Sequence, residues 1–107
     1  KRFDVERSGE VTISKAPDSV TLDAALVHFP LTIRPVRTGD RFCPFGMDGH
    51  RLVSDFLTDR KLSVLDKRRQ LVVTDRDGEI VWLVGLRSDH RFRVTPQTTS
   101  VLRITVS

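Results

Sequence analysis

Cysteine, tyrosine and tryptophan are nearly missing from this 107-residue chain, which carries one, none and one of them respectively. A lone cysteine, Cys43, cannot close an internal disulfide or build a Cys-rich zinc site, and it fits a reducing compartment. A cytoplasmic location is therefore expected. No apolar run approaches the about 18 residues of a membrane-spanning helix, so no membrane partner is expected. With an aromatic fraction of 7% and no tyrosine, the chain is poorly supplied for a broad base-stacking platform. A phosphate cradle is also missing: Gly46-Met47-Asp48-Gly49 is read as opening a helix, but no lysine of the P-loop kind follows it. His28, His50 and His90 are scattered, and no pair has the i, i+4 spacing that aims two imidazoles at one metal. Asp75, Asp77 and Glu79 do not fill a calcium-loop frame, and a hairpin turn accounts for Asp77-Gly78. Neither a catalytic nor a metal site is expected, and Cys43, between Phe42 and Pro44, reads as a small buried hydrophobe rather than a nucleophile.

What the chain does have is charge, arranged unevenly. The formal net charge is +4. Residues 1–30 hold four basic and five acidic side chains, whereas residues 31–107 hold fourteen and nine. The positive excess in the second part favours a polyanionic partner. Arg34, Arg37, Arg41, Arg51, Lys61, Lys67, Arg68, Arg69, Arg87, Arg91 and Arg93 form the candidate set. Arginine's planar fork suits bidentate phosphate contact, and contacts to an A-form backbone can recognise a stem by shape. Any single arginine is equally explained as a local partner for Asp40, Asp55, Asp59 or Asp89, so the weight rests on the cluster.

The length fits one domain. Opening on Lys1-Arg2 rather than methionine, the chain is expected to be an excised piece of a longer protein. Alternation in Phe3–Glu6 and Val11–Ser14 around Ser8-Gly9 predicts a short hairpin with one buried face. Leu22–Leu26 is ambiguous between strand and helix. Leu31–Pro35 predicts a strand near a sheet edge, where proline's missing donor is tolerated. Leu52, Val53, Phe56 and Leu57 recur at helical spacing, predicting a helix over His50–Arg60 capped by Asp48, and a second short helix is predicted over Val64–Arg69. Leu71–Thr74 and Ile80–Val84, joined by Asp75-Arg76-Asp77-Gly78, predict a β-hairpin. Both of its arms are almost wholly apolar, so the pair should be covered on both faces, by the helix on one side and another sheet on the other. Arg91–Val94 and Val101–Val106 are expected to be closing strands. Phe42, Phe45, Phe56, Trp82 and Phe92, by their apolar flanks, are expected in the core.

Two blocks carry more than pattern: TGDRFCPFGMDGHRLVSD, Thr38 to Asp55, and VVTDRDGEIVWLVG, Val72 to Gly85. Their order and spacing resemble the C-terminal domain of the bacterial tRNA(Ile)-lysidine synthetases. There a GDRF-x-P-x-GM-x-G segment leads into a basic helix and then a strand pair ending VW-x-x-GxR. Here that ending is Val81, Trp82, Gly85, Leu86 and Arg87, and the resemblance runs from Leu31 to Ile104. It implies an α+β fold: a small β-rich domain of sandwich-like sheets with one or two short helices, similar to a domain of the phenylalanyl-tRNA synthetase β subunit. It implies a parent enzyme that uses ATP, with Mg, to join lysine to the wobble cytidine of a minor isoleucine tRNA. Catalysis would lie in an N-terminal domain outside this sequence, which lacks the Ser-Gly-Gly-x-Asp-Ser loop of such ligases, so no cofactor is expected in this piece. The module itself would grip the tRNA around the acceptor stem, over residues 31–107, with residues 1–30 as N-terminal strands or a connecting segment. Its partners would be that tRNA, its own catalytic domain and, as an open alternative, a second copy. Asp40, Gly46, Gly49 and Gly85 fall on motif positions read as structural. Arg41, Arg51, Lys61, Arg69 and Arg87 fall on or beside recurrent basic positions and are the RNA-contact candidates. The chain departs from the family pattern at Arg51-Leu52 and Gln70-Leu71-Val72, where adjacent lysines and a Pro-Leu-Leu or Pro-Leu-Val step are usual, which loosens the transfer of contacts there. A protein-docking domain, positioning the catalytic domain or a dimer partner, is the competing reading.

Overall fold

The apolar hairpin that dominates the second half of the sequence is the wall between two cores. In the computed structural model, which describes residues 1–107, eleven strands and helices follow one another. They are β1 (Phe3–Ser8), β2 (Ser19–Asp23), β3 (Thr32–Pro35), β4 (Arg41–Phe42), β5 (Arg51–Leu52), α1 (Val53–Asp59), α2 (Val64–Arg69), β6 (Leu71–Thr74), β7 (Ile80–Leu83), β8 (Arg87–Ser88) and β9 (Val101–Val106). All pairings are antiparallel, in sheets of order β1-β9-β2, β3-β6-β7-β8 and β4-β5. The fold is α+β, with β3 at a sheet edge as its proline requires.

Side chains alternate across a strand, so neighbours on β6 serve different cores. Val73 joins Val20, Leu22, Leu102 and Ile104 of the first sheet, whereas Val72 joins Phe42 and the buried face of α1, Val53, Phe56 and Leu57. On β7 the ladder runs Val73↔Trp82 and then Thr74↔Ile80, leaving Val81 as an extra residue. This bulge lets Val81 and Trp82 both face the first core while Ile80 and Leu83 face the second. The turn is made by the Asp75 carboxylate, which accepts from the Asp77 and Glu79 N–H groups, and by Gly78 at φ +81°.

Four expectations are corrected. Val11–Ser14 forms no strand, and β1 pairs instead with β9, Val5 opposite Ile104. Alternation records a strand-like face without naming its partner, and β9, its own core residues buried, offers both edges. Val11 and Ile13 are consequently exposed. The first helix starts at Val53, not His50, because Arg51-Leu52 are drawn into a two-residue ladder with Arg41-Phe42. Asp48 does not cap it: the Val53 N–H is taken by the Asp40 carbonyl at 2.9 Å, and Leu52 at the N-cap supplies no side-chain acceptor. The second helix keeps its bounds, with Ser63 Oγ accepting from Asp66 N at 3.1 Å. Arg91–Val94 is not a strand: Arg91 and Phe92 belong to a 3-10 turn at His90–Phe92, organised by the fully buried Asp89 carboxylate, which accepts from the Cys43 and Arg91 N–H groups and from the Arg91 guanidinium. Lastly, Phe42, Phe56, Trp82 and Phe92 are buried as expected, but Phe45 is 48% exposed. Leu22–Leu26 resolves as both alternatives, the end of β2 running into a 3-10 turn at Ala24–Leu26.

Candidate nucleic-acid interface

Ion pairs sort the cations into those already committed and those left open. Arg34 forms a bidentate pair with Asp40, Nη1 to Oδ2 at 2.8 Å and Nη2 to Oδ1 at 3.0 Å, with the Arg37 N–H adding a third bond at 2.8 Å. Burial alone would raise the Asp40 pKa, but these bonds and the two nearby guanidiniums outweigh it and hold the carboxyl below its ordinary value. Arg91 is similarly engaged by Asp89 and Glu79, and its pKa is raised above the usual arginine value, first by the Asp89 bond. These two arginines are structural.

The open cations gather around the C-terminal end of α1. Phe56, on the buried face of that helix, stacks obliquely on Phe42 with ring centroids 5.3 Å apart. The guanidinium of Arg60 lies 4.9 Å from the Phe56 ring centroid and that of Arg87, on β8, 5.4 Å. Lys61 follows Arg60 in a left-handed conformation, φ +60°, and is exposed. Lys67 reaches across from α2 to donate to Thr58 Oγ1 at 2.7 Å. Arg51 is tied to the same end of the helix by its pair with Asp59. Among these five only Arg51 has a carboxylate partner. Burial, and then repulsion from Arg60, lower the Arg87 pKa. Two guanidiniums held on one aromatic ring without an intervening acid create a positive field that an incoming anion relieves.

Of the five sequence-derived contact candidates, Arg51, Lys61 and Arg87 are thus brought together. Arg41 is exposed on the opposite face of the β4–β5 hairpin, since it stands opposite Leu52 while Arg51 stands opposite Phe42. Arg69 lines a separate shallow cleft with Lys1, Leu62 and Asp66. Arg60 was missed, because a cation at a helix C-terminus is already explained by the helix dipole. The motif residues shape the backbone: Asp40 anchors the start of α1 through Val53, Gly46 donates its N–H to His90 Nδ1 at 3.3 Å, and Gly46, Gly49 and Gly85 all adopt positive φ. The donor set that could hold a metal is His28, Asp75 and Asp77, whose ligand atoms lie within 4.8 Å of one another. The hairpin's own hydrogen bonds and the 3.0 Å contact between His28 Nδ1 and Asp77 Oδ2 already account for it. No helix is long and apolar enough to cross a membrane.

Comparison with known proteins agrees with the motifs. The chain is 44% identical over 81 residues to the tRNA(Ile)-lysidine synthase of Parabacteroides distasonis, 76% of this chain and 18% of that protein. It is 37% identical over 97 residues to that of Bacteroides thetaiotaomicron, 91% of this chain and 22% of that protein. The chain therefore spans about a fifth of the length of the curated relatives it matches. Among solved structures, a crystal structure of the TILS C-terminal domain superposes with a TM-score of 0.82 at 23% identity, covering 96% of this chain and 80% of the other. An N-terminal fragment of the phenylalanyl-tRNA synthetase β-subunit from Pyrococcus horikoshii superposes with a TM-score of 0.70 at 17% identity, covering 80% and 27%. These structural likenesses establish a shared fold. The model of the TilS substrate C-terminal domain matches residues 31–105, and the chain belongs to that family.

Proposed function

We propose that this chain is the tRNA-gripping module of a tRNA(Ile)-lysidine synthase, a carbon–nitrogen ligase that joins lysine to the wobble cytidine of a minor isoleucine tRNA. The observation that carries the reading is the pair of guanidiniums, Arg60 and Arg87, on the Phe56 ring, with Lys61 next in the chain and Lys67 bonded to Thr58 of the same helix, none of the four being paired with a carboxylate. Cations set on a rigid helix end and an adjacent strand suit phosphates of a stem, recognised through backbone shape. The acceptor-stem region is the part of the tRNA assigned to it. ATP and Mg belong to the catalytic domain, and the isolated chain should modify no tRNA when given ATP and lysine.

A second reading has an observation of its own. Helix α2 has no buried residue and presents Val64 and Leu65, 67% and 55% exposed. A surface of that kind suits docking on the catalytic domain or on a second copy. The two readings separate in a titration of this domain with minor isoleucine tRNA and with methionine tRNA of the same anticodon. Tighter binding of the isoleucine tRNA, weakened by Arg60→Gln and Lys61→Gln but not by Leu65→Ser, supports the gripping role. Indifference to both arginine and lysine changes contradicts it and favours docking.

A further inference from the structure

A cleft of about 400 Å³ opens beside β8, between the loop that follows β1 and the segment from Arg93 to Val94. Its walls include Ile13, Phe45 and the buried Trp82, and its cations are Lys15, Arg87 and Arg93. No aspartate or glutamate lines it. Arg87 Nη1 donates to the Phe45 carbonyl at 3.0 Å and Arg93 Nη1 to the His90 carbonyl at 2.8 Å. These bonds fix both guanidiniums while leaving their charges without a carboxylate, and Lys15 has none either.

Phe45 is the second element. Its ring is half exposed although its backbone is held on both sides: its N–H donates to the Ser88 carbonyl at 3.0 Å and its carbonyl accepts from Arg87. The ring rests against His90, centroids 5.8 Å apart. An aromatic kept at the surface by a pinned backbone is preorganised for a planar partner, since little entropy remains to be lost on stacking.

We infer that this cleft takes an unpaired nucleotide of an RNA strand, its base against Phe45 and its phosphate among Lys15, Arg87 and Arg93. The volume lies in the range of small-ligand sites, which suits a single nucleotide and excludes a duplex. The inference deepens the RNA reading above and rests on it, but it uses different residues from the α1 cluster except for Arg87, which sits between the two. One RNA could therefore lay a stem on α1 and an unpaired nucleotide in the cleft.

The test measures anisotropy of two labelled probes with the whole chain at low salt: a single-stranded tetraribonucleotide and a blunt RNA duplex. Phe45→Ala and Arg93→Gln should each weaken the tetranucleotide by roughly tenfold, the size expected for one stacking or phosphate contact, and leave the duplex unchanged. Arg60→Gln with Lys61→Gln should do the reverse. An abasic tetramer should bind wild type about tenfold more weakly than the intact one. Wild type that binds the tetranucleotide but not the duplex would sink the stem reading and keep the cleft. No tetranucleotide binding by wild type, or equal binding by wild type and the folded Phe45→Ala and Arg93→Gln proteins, overturns the cleft assignment. A free nucleoside monophosphate that binds as tightly as the tetramer overturns the RNA strand as its source.

Discussion

Removing the Asp40 carboxylate should cost this domain about 3 kcal/mol, the low end for breaking one side of a buried ion pair. Asp40 and Arg34 have only 13% and 15% of their side-chain surfaces exposed, so solvent cannot take over the charge. In Asp40→Ala the Arg34 guanidinium keeps a single bond, to the Pro35 carbonyl at 3.0 Å, and the Arg37 N–H loses its acceptor. The loss reaches α1, because the Asp40 carbonyl also holds the first N–H of that helix. At roughly 4 °C per kcal/mol for a domain of this size, Tm should fall by about 12 °C. Asp40→Asn, which keeps shape and one acceptor, should lose less. The pH dependence adds an independent check. The folded pKa of Asp40 lies below its ordinary 3.8, so its stabilisation is fully present above that value and disappears as pH falls through the folded pKa. Urea melts of wild type and Asp40→Asn should therefore differ at pH 7 and converge in acid, below about pH 4. A cost under about 1 kcal/mol, the level of a surface pair, or a difference that persists undiminished in strong acid, would refute the argument.

Phe42→Ala, at a fully buried site against Phe56, should cost about 3 to 5 kcal/mol in urea unfolding, while Phe45→Ala should stay within about 0.5 kcal/mol; similar costs would mean that the two rings share an environment. Cys43 is buried, and burial followed by the nearby Asp89 charge raises its pKa. An aromatic disulfide reagent at pH 8 should thus label it slowly in the folded protein and quickly in urea, and equal rates would contradict the burial. Gly78→Ala meets no atom within 4 Å but sits at φ +81°, so it should cost about 1 kcal/mol in backbone strain alone, visible as a lowered urea midpoint at unchanged m-value.

The middle of the fold was readable because the chain there has few alternatives. Leu71–Thr74 and Ile80–Leu83 offer one polar side chain between them, Thr74, and Asp77-Gly78 names the turn, so two-sided burial follows from composition. Partners distant in sequence were not readable. The alternation of Phe3–Glu6 is the same whether its neighbour is Val11–Ser14 or, as found, Val101–Val106. Helical spacing at Leu52 could not reveal that a two-residue ladder would claim Arg51 and Leu52 first. Asp89 was legible as a partner for an arginine, which Arg91 is, but not as the fully buried carboxylate that also accepts from the Cys43 N–H. The interface shows the same division. The excess of cations was visible by counting, but which of them were spent depended on the pairs Arg34–Asp40, Arg91–Asp89 and Arg51–Asp59, which only the folded chain displays. Arg60 and Phe45 escaped because each had an adequate local explanation, a helix end and an apolar flank.

The most direct test of RNA gripping by the α1 cluster is the salt dependence of tRNA binding. Log Kd against log salt should be measured for the wild-type chain and for a variant carrying Arg60→Gln, Lys61→Gln and Arg87→Gln. Each phosphate contact contributes about 0.9 to the slope, so the variant's slope should be shallower by about 2.7 while its Tm stays close to that of wild type. A slope unchanged by the three substitutions, or wild-type binding indifferent to salt, would contradict the account.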